Sequence, residues 1–83
     1  MPVRITLFGK LGDLMGRELE LPKEFGGRTM ADLRRFLAGE YPSAAPDLLS
    51  PRVRACVNDA LVPDSHNLTA GDQIALLPPV SGG

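Results

Sequence analysis

Gln73-Ile74-Ala75-Leu76-Leu77-Pro78-Pro79-Val80-Ser81-Gly82-Gly83 is the stretch on which the reading of this chain turns. Its first half alternates. Ile74 and Leu76 point one way, while Gln73, Ala75 and Leu77 point the other, the period-two pattern of a half-buried strand. Its second half cannot continue that strand. Proline has no backbone N–H, so Pro78 and Pro79 close the ladder, and two prolines in succession favour an extended polyproline path. After Pro79 only Val80 carries an apolar side chain suited to a core. Residues 1–79 are therefore expected to form one domain and residues 80–83 a tail able to reach about 13 Å when extended. A frayed terminus is the bland alternative, but two prolines set directly before Ser81-Gly82-Gly83 favour a functional arm.

Working outward, an early segment matches this last strand. Val3, Ile5 and Leu7 alternate with Arg4, Thr6 and Phe8, which predicts a strand with Phe8 on the outer face. Leu11, Leu14 and Met15 have helical spacing and predict a short helix or turn, with Gly16 as its left-handed stop. Arg17 to Leu21 alternates again and pairs with the first strand as a hairpin. Thr29 has the chemistry of an N-cap, with Asp32 three residues on. Leu33, Phe36, Leu37 and Tyr41 then fall on one stripe, so the principal helix is placed over residues 30–40. Arg34 and Arg35 are assigned to its solvated side. Residues 42–51, with three prolines, are expected to be an irregular crossing pinned by Leu48 and Leu49.

Val53, Ala55 and Val57 predict an inward-facing strand, with Arg54 and Cys56 outward. Asn58-Asp59 predicts a tight turn, and Ala60 to Val62 a short return strand. Gly71 is expected at positive φ in the turn before Gln73. The order is strand, strand, helix, strand, short strand, strand. An α+β layer fold follows, a mixed sheet of about five strands with one main helix on one face. Placing the last strand parallel to the first in the middle of the sheet gives a ubiquitin-like β-grasp.

Composition narrows the function. A chain of 83 residues makes one domain, which hides roughly 60% of its unfolded surface on folding. A net charge of -1 gives no electrostatic reason to bind nucleic acid. No run is long and apolar enough for a membrane helix, and no signal-peptide layout is present. The single cysteine, Cys56, excludes an internal disulfide and a cysteine metal cluster. A reducing cytoplasm is the expected location. His66 stands alone in a polar turn, and Gly26-Gly27 lacks the spacing and lysine of a phosphate loop. No nucleophile, base and orienting acid come together, so no active site is expected in the body and no cofactor or metal is expected to bind this chain.

Two features remain. Alternation leaves Phe8, Leu61 and Leu77 facing outward; clustered, they would form an exposed apolar patch of the kind that marks a binding surface. The other feature is the Gly82-Gly83 end. A carboxylate is a poor electrophile until an ATP-using partner converts it to an acyl-adenylate. Attack by sulfide then leaves a thiocarboxylate, a good sulfur nucleophile. The adenylate hydrolyses, so the end must sit in a narrow, water-poor channel, and residues without a Cβ fit one.

Val57-Asn58, Leu61-Val62, the run Leu68-Thr69-Ala70-Gly71-Asp72-Gln73-Ile74-Ala75-Leu76-Leu77 and the Pro-Pro-Val-Ser-Gly-Gly end resemble the small-subunit family of molybdopterin synthase, the MoaD-type sulfur carriers. Leu7-Phe8-Gly9 and Leu14-Met15-Gly16 fit the same family. An aromatic pair often precedes the two prolines there, where this chain has Leu76-Leu77. The resemblance implies a non-catalytic sulfur-donor subunit, with catalytic residues on a large subunit. It implies that an adenylating enzyme uses ATP to activate Gly83, with Gly82 beside it. The thiocarboxylate tail, with Pro78, Pro79, Val80 and Ser81, would then enter the large subunit of a heterotetramer. Sulfur would pass to cyclic pyranopterin monophosphate in molybdenum cofactor biosynthesis. The resemblance also implies that Phe8, Leu61 and Leu77 contact both partners. The sulfur carrier of thiamine thiazole synthesis, a ubiquitin-like modifier joined to lysine through Gly83, and a plain interaction module are the competing readings.

Overall fold

The computed structural model describes residues 3–78. The chain folds as β1 (Arg4–Leu7), α1 (Lys10–Met15), β2 (Glu18–Glu20), α2 (Met30–Glu40), a 3-10 turn (Pro42–Ala44), α3 (Ala45–Leu48), β3 (Arg54–Val57), β4 (Ala60–Val62) and β5 (Gln73–Leu77). The strands form one sheet in the order β2-β1-β5-β3-β4. β5 lies at its centre, parallel to β1 and antiparallel to β3. β1–β2 and β3–β4 are antiparallel pairs at the two edges. This is the β-grasp arrangement, with a parallel pair in the middle and a helix over one face.

Strand alternation sends Ile5 and Leu7, Ala55 and Val57, and Ile74 and Leu76 to the same side, and all six are buried. Met30, Leu33 and Leu37 of α2 meet them, and Leu11, Met15, Ala44, Leu48 and Val53 complete the core. Leu14 is 38% exposed, so only two of the three apolar residues of α1 reach the core.

The start of α2 is fixed by a reciprocal capping box. The Asp32 N–H donates to Thr29 Oγ1 (3.2 Å), and the N–H groups of Thr29 and Arg28 donate to Asp32 Oδ2 at 3.0 and 2.9 Å. The two backbone N–H donors, with the Arg35 guanidinium at 2.8 Å, hold the Asp32 carboxyl well below the usual carboxylate range. Phe25 folds back to meet Phe36 edge-to-face, with ring centroids 5.4 Å apart. Gly27 makes room for this: a Cβ there would lie 2.6 Å from the Phe25 ring.

Three expectations are corrected. Arg34 is not on a solvated face. It is buried, and its guanidinium donates to the carbonyls of Leu48 (3.2 Å), Ser50 (3.1 Å) and Val53. Its Nε faces Asp64 Oδ1 at 3.1 Å, within ion-pair distance but outside hydrogen-bond geometry. Arginine survives burial here because its forked donors satisfy backbone carbonyls that the crossing segment would otherwise leave unpaired. Arg35, in contrast, is exposed as expected. The second correction concerns residues 42–51, which are not irregular throughout. Pro42 and Pro46 sit in the first turns of the 3-10 turn and of α3, where a missing N–H costs nothing. The third is Leu49. Leu48 is fully buried, but Leu49 is 54% exposed and pins nothing.

Candidate functional site

The open face of the sheet, opposite α2, follows from the register. Thr6 pairs with Ala75, Ala75 with Cys56, and Cys56 with Leu61, so these four residues form a row across β1, β5, β3 and β4. In the next row Leu77 lies directly opposite Arg54. β1 and β5 run parallel with Leu7 beside Leu76, so continuing the register by one residue brings Phe8 alongside Leu77. The close approach of Gly9 to Pro78 agrees with this. A Cβ on Gly9 would come within 3.0 Å of Pro78 Cγ. Phe8 is 46% and Leu61 60% exposed, while Leu77 and Pro78 are half-buried. Phe8 and Leu77 are thus neighbours on the open face, Leu61 lies on the same face two strands from Leu77, across Arg54 and Cys56 of β3, and β5 ends at Leu77.

The register that creates this arrangement is set at the opposite end of β5. Asn58 and Asp59 have φ of 51° and 71°, the left-handed pair of a type I′ hairpin turn joining β3 to β4. The Asn58 N–H donates to Gln73 O (2.8 Å), and Gln73 N–H donates back to Asn58 Oδ1 (3.0 Å). Asn58 Nδ2 also donates to Asp72 Oδ1 at 3.2 Å, and Asp72 Oδ2 accepts from the Thr69 N–H at 2.8 Å. Gly71, at φ 87°, allows that turn. Asn58 and Asp72 therefore hold the start of β5 against the β3–β4 hairpin, which leaves Leu77 facing Arg54 at its other end.

Gly9 has φ 58° and ψ -134°, a conformation essentially reserved for glycine. It starts α1 and lets β1 end flush against Pro78. Gly16 also has positive φ, at 93°, but its ψ of 153° is not that of a left-handed helical stop. Its N–H still closes the helix on Gly12 O at 2.9 Å.

The remaining predicted site residues, Pro79, Val80, Ser81, Gly82 and Gly83, lie outside the described residues. Cys56 is half-buried in the open-face row. His66 takes part in the fold through its backbone: its O accepts from Met30 N–H at 2.9 Å, and its N–H donates to Pro63 O at 3.0 Å. Among the described residues no group of three or more acidic, histidine or cysteine side chains could hold a metal ion. Among the described residues no helix is long and apolar enough to cross a membrane. Two members of the site were not singled out from the sequence: Arg54, opposite Leu77, and Gly9, against Pro78. The alternation of β3 placed Arg54 outward, but only the register shows what it stands beside.

Comparison with known proteins bears on the fold and the family. The ThiS family pattern matches residues 5–83. The molybdopterin synthase sulfur carrier subunit of Escherichia coli (strain K12) is 33% identical over 82 residues, 98% of this chain and 99% of that protein. SAMP1 from Haloferax volcanii superposes with a TM-score of 0.78 at 27% identity, covering 100% of both chains. A chain in the complex of subunits 1 and 2 of the molybdopterin-converting factor from Helicobacter pylori 26695 superposes with a TM-score of 0.66 at 25% identity, again over 100% of both. A β-grasp sheet with its central strand running into a Pro-Pro-Val-Ser-Gly-Gly end, matched along nearly its whole length, places this chain in the MoaD/ThiS family of sulfur carriers.

Proposed function

We propose that this chain is the sulfur-carrier small subunit of a molybdopterin synthase. The observation that carries the reading is its identity, along nearly the whole chain, to the Escherichia coli sulfur carrier subunit. In this reading the Gly83 carboxylate attacks the α-phosphate of ATP on an adenylating enzyme and releases pyrophosphate. A sulfide-level sulfur then attacks the acyl carbon, AMP leaves with the bonding pair, and Gly83 becomes a thiocarboxylate. The charged tail enters the large synthase subunit and gives its sulfur to cyclic pyranopterin monophosphate. Water restores the carboxylate. The complex of subunits 1 and 2 in the Helicobacter pylori protein supports a large subunit as partner.

The chain's own contribution is positional. Pro78 lies against Gly9, so the tail leaves from a fixed point next to Phe8 and Leu77. A partner that covers the open face receives the tail in a defined direction, and holding the reacting end in place lowers the entropic part of the barrier. Phe8, Leu61 and Leu77 supply apolar area at about 25 cal/mol per Å² buried.

Deleting Gly83 tests this reading. The truncated chain is expected to keep the thermal midpoint and circular dichroism of the full chain, yet to support no molybdopterin formation with the large subunit, adenylating enzyme, ATP and a sulfur donor. Continued formation would overturn the reading, and loss of folding would contradict the tail as an arm outside the core. The likeness to SAMP1, a small archaeal modifier protein, supports a second reading in which Gly83 becomes amide-linked to lysine. Mass spectrometry of lysine-linked Gly-Gly remnants distinguishes it.

A further inference from the structure

The open face carries one cation that the apolar patch does not explain. Arg54 is exposed, lies directly across from Leu77, and sits diagonal to Leu61 through the Cys56–Leu61 pair. Its situation differs from that of the other open-face arginine. Arg4 faces Glu20 across the β1–β2 pair, so that cation has an acidic cross-strand neighbour. The next positions beside Arg54 are Leu77 on β5 and, by continuing the β3–β4 register one residue beyond Ala55–Val62, Pro63. Among the described residues Arg54 makes no ion pair, whereas Lys10, Arg34 and Arg35 each meet an aspartate.

A partner that seats on Leu77 and Leu61 must also cover Arg54. Removing a guanidinium from water without an anion is costly enough to cancel most of the gain from the apolar contacts. The same charge met by a carboxylate in forked geometry is favourable and directional. We propose that Arg54 is the specificity residue of the open face and that the partner surface covering it, the large synthase subunit, presents a carboxylate side chain to Arg54 beside the pocket that takes Leu77. A large subunit with an apolar or basic residue at that point would be rejected although its pocket fits. This inference rests on the docking reading proposed above.

The test is calorimetric titration of the full-length chain into the large synthase subunit of the same organism, for the wild type, Arg54→Leu, Arg54→Glu and the control Arg52→Leu, at low and high salt. Arg54→Leu is expected to weaken binding by about tenfold or more, and Arg54→Glu by more still. Arg52→Leu removes the same charge from the turn before β3, outside the strand pairing that sets Arg54 opposite Leu77, and should leave affinity within about twofold. The salt dependence of the wild type should shrink in Arg54→Leu and persist in Arg52→Leu. Thermal midpoints of all variants verify that each is folded. Arg54→Leu binding as tightly as the wild type, or more tightly, overturns the role of Arg54 while leaving the docking reading intact. Absence of binding by the wild type itself overturns the docking reading, and the Arg54 inference with it.

Discussion

Truncating Arg34 to alanine should destabilise this protein more than any other exchange of a charged residue among those described. The side chain reaches from the middle of α2 to three carbonyls on the segment that leads from α3 into β3. The bonds to Leu48 and Val53 are buried, and the bond to Ser50 is partly so. Each buried carbonyl stripped of its donor costs about 1–3 kcal/mol, and the more accessible one less, so the loss is about 3–5 kcal/mol. A domain of this size has about 4–12 kcal/mol in total. The ion pair with Asp64 adds little, because Asp64 is 58% exposed and water competes for it. Arg34→Ala should therefore lose about 3–5 kcal/mol in urea titration, and Asp64→Ala under about 1 kcal/mol. Arg34→Lys keeps the charge but not the fork, and should recover only a minor part. Equal losses for Arg34→Ala and Asp64→Ala would refute the reasoning, since they would make the ion pair, rather than the carbonyls, the stabilising contact. So would a loss below about 1 kcal/mol in Arg34→Ala.

Two further predictions concern the cap of α2 and the root of the tail. The Asp32 carboxyl titrates far below its unfolded value of about 3.9, so its contribution is fully present above that pH and is lost progressively as pH falls below it. Asp32→Asn should flatten the acid limb of a stability–pH profile between about pH 5 and pH 2; an unchanged limb would show that the capping box does not govern acid stability. Gly9→Ala places a Cβ 3.0 Å from Pro78 Cγ at a backbone conformation alanine rarely adopts, so it should lose about 1–3 kcal/mol in the same titration. It should also slow sulfur transfer by more than this loss of folded protein explains, because it displaces the point from which the tail leaves. A rate that tracks the folded fraction alone would contradict that second part.

What the sequence disclosed and what it concealed have a common physical cause. Period-two alternation was enough to find β1, β3 and β5 with their inward residues, and the Thr29–Asp32 spacing was enough to start α2. These signals are local. Arg34 was hidden because its partners lie 14 to 19 residues away on a segment whose path no local pattern reveals. The short helix at Ala45–Leu48 was hidden by prolines, which break helices in their interiors but open them at their first turns. Leu48 and Leu49 are adjacent and chemically alike, and only the geometry of α3 sends one inward and the other out. At the candidate site, alternation gave the outward faces of Phe8, Leu61 and Leu77. Their neighbours, Arg54 and Gly9, required the strand register, which Asn58 and Asp72 fix from the far end of β5.

The most direct test of the sulfur-carrier account is the intact mass of the chain after incubation with the adenylating enzyme, ATP and a sulfur donor, followed by the large synthase subunit with and without the pterin precursor. The account predicts a gain equal to one oxygen replaced by one sulfur, located at Gly83, that persists with the large subunit alone and disappears when the precursor is added. No gain in the presence of an adenylating enzyme shown to be active on another carrier, or a gain that the precursor does not discharge, would contradict it.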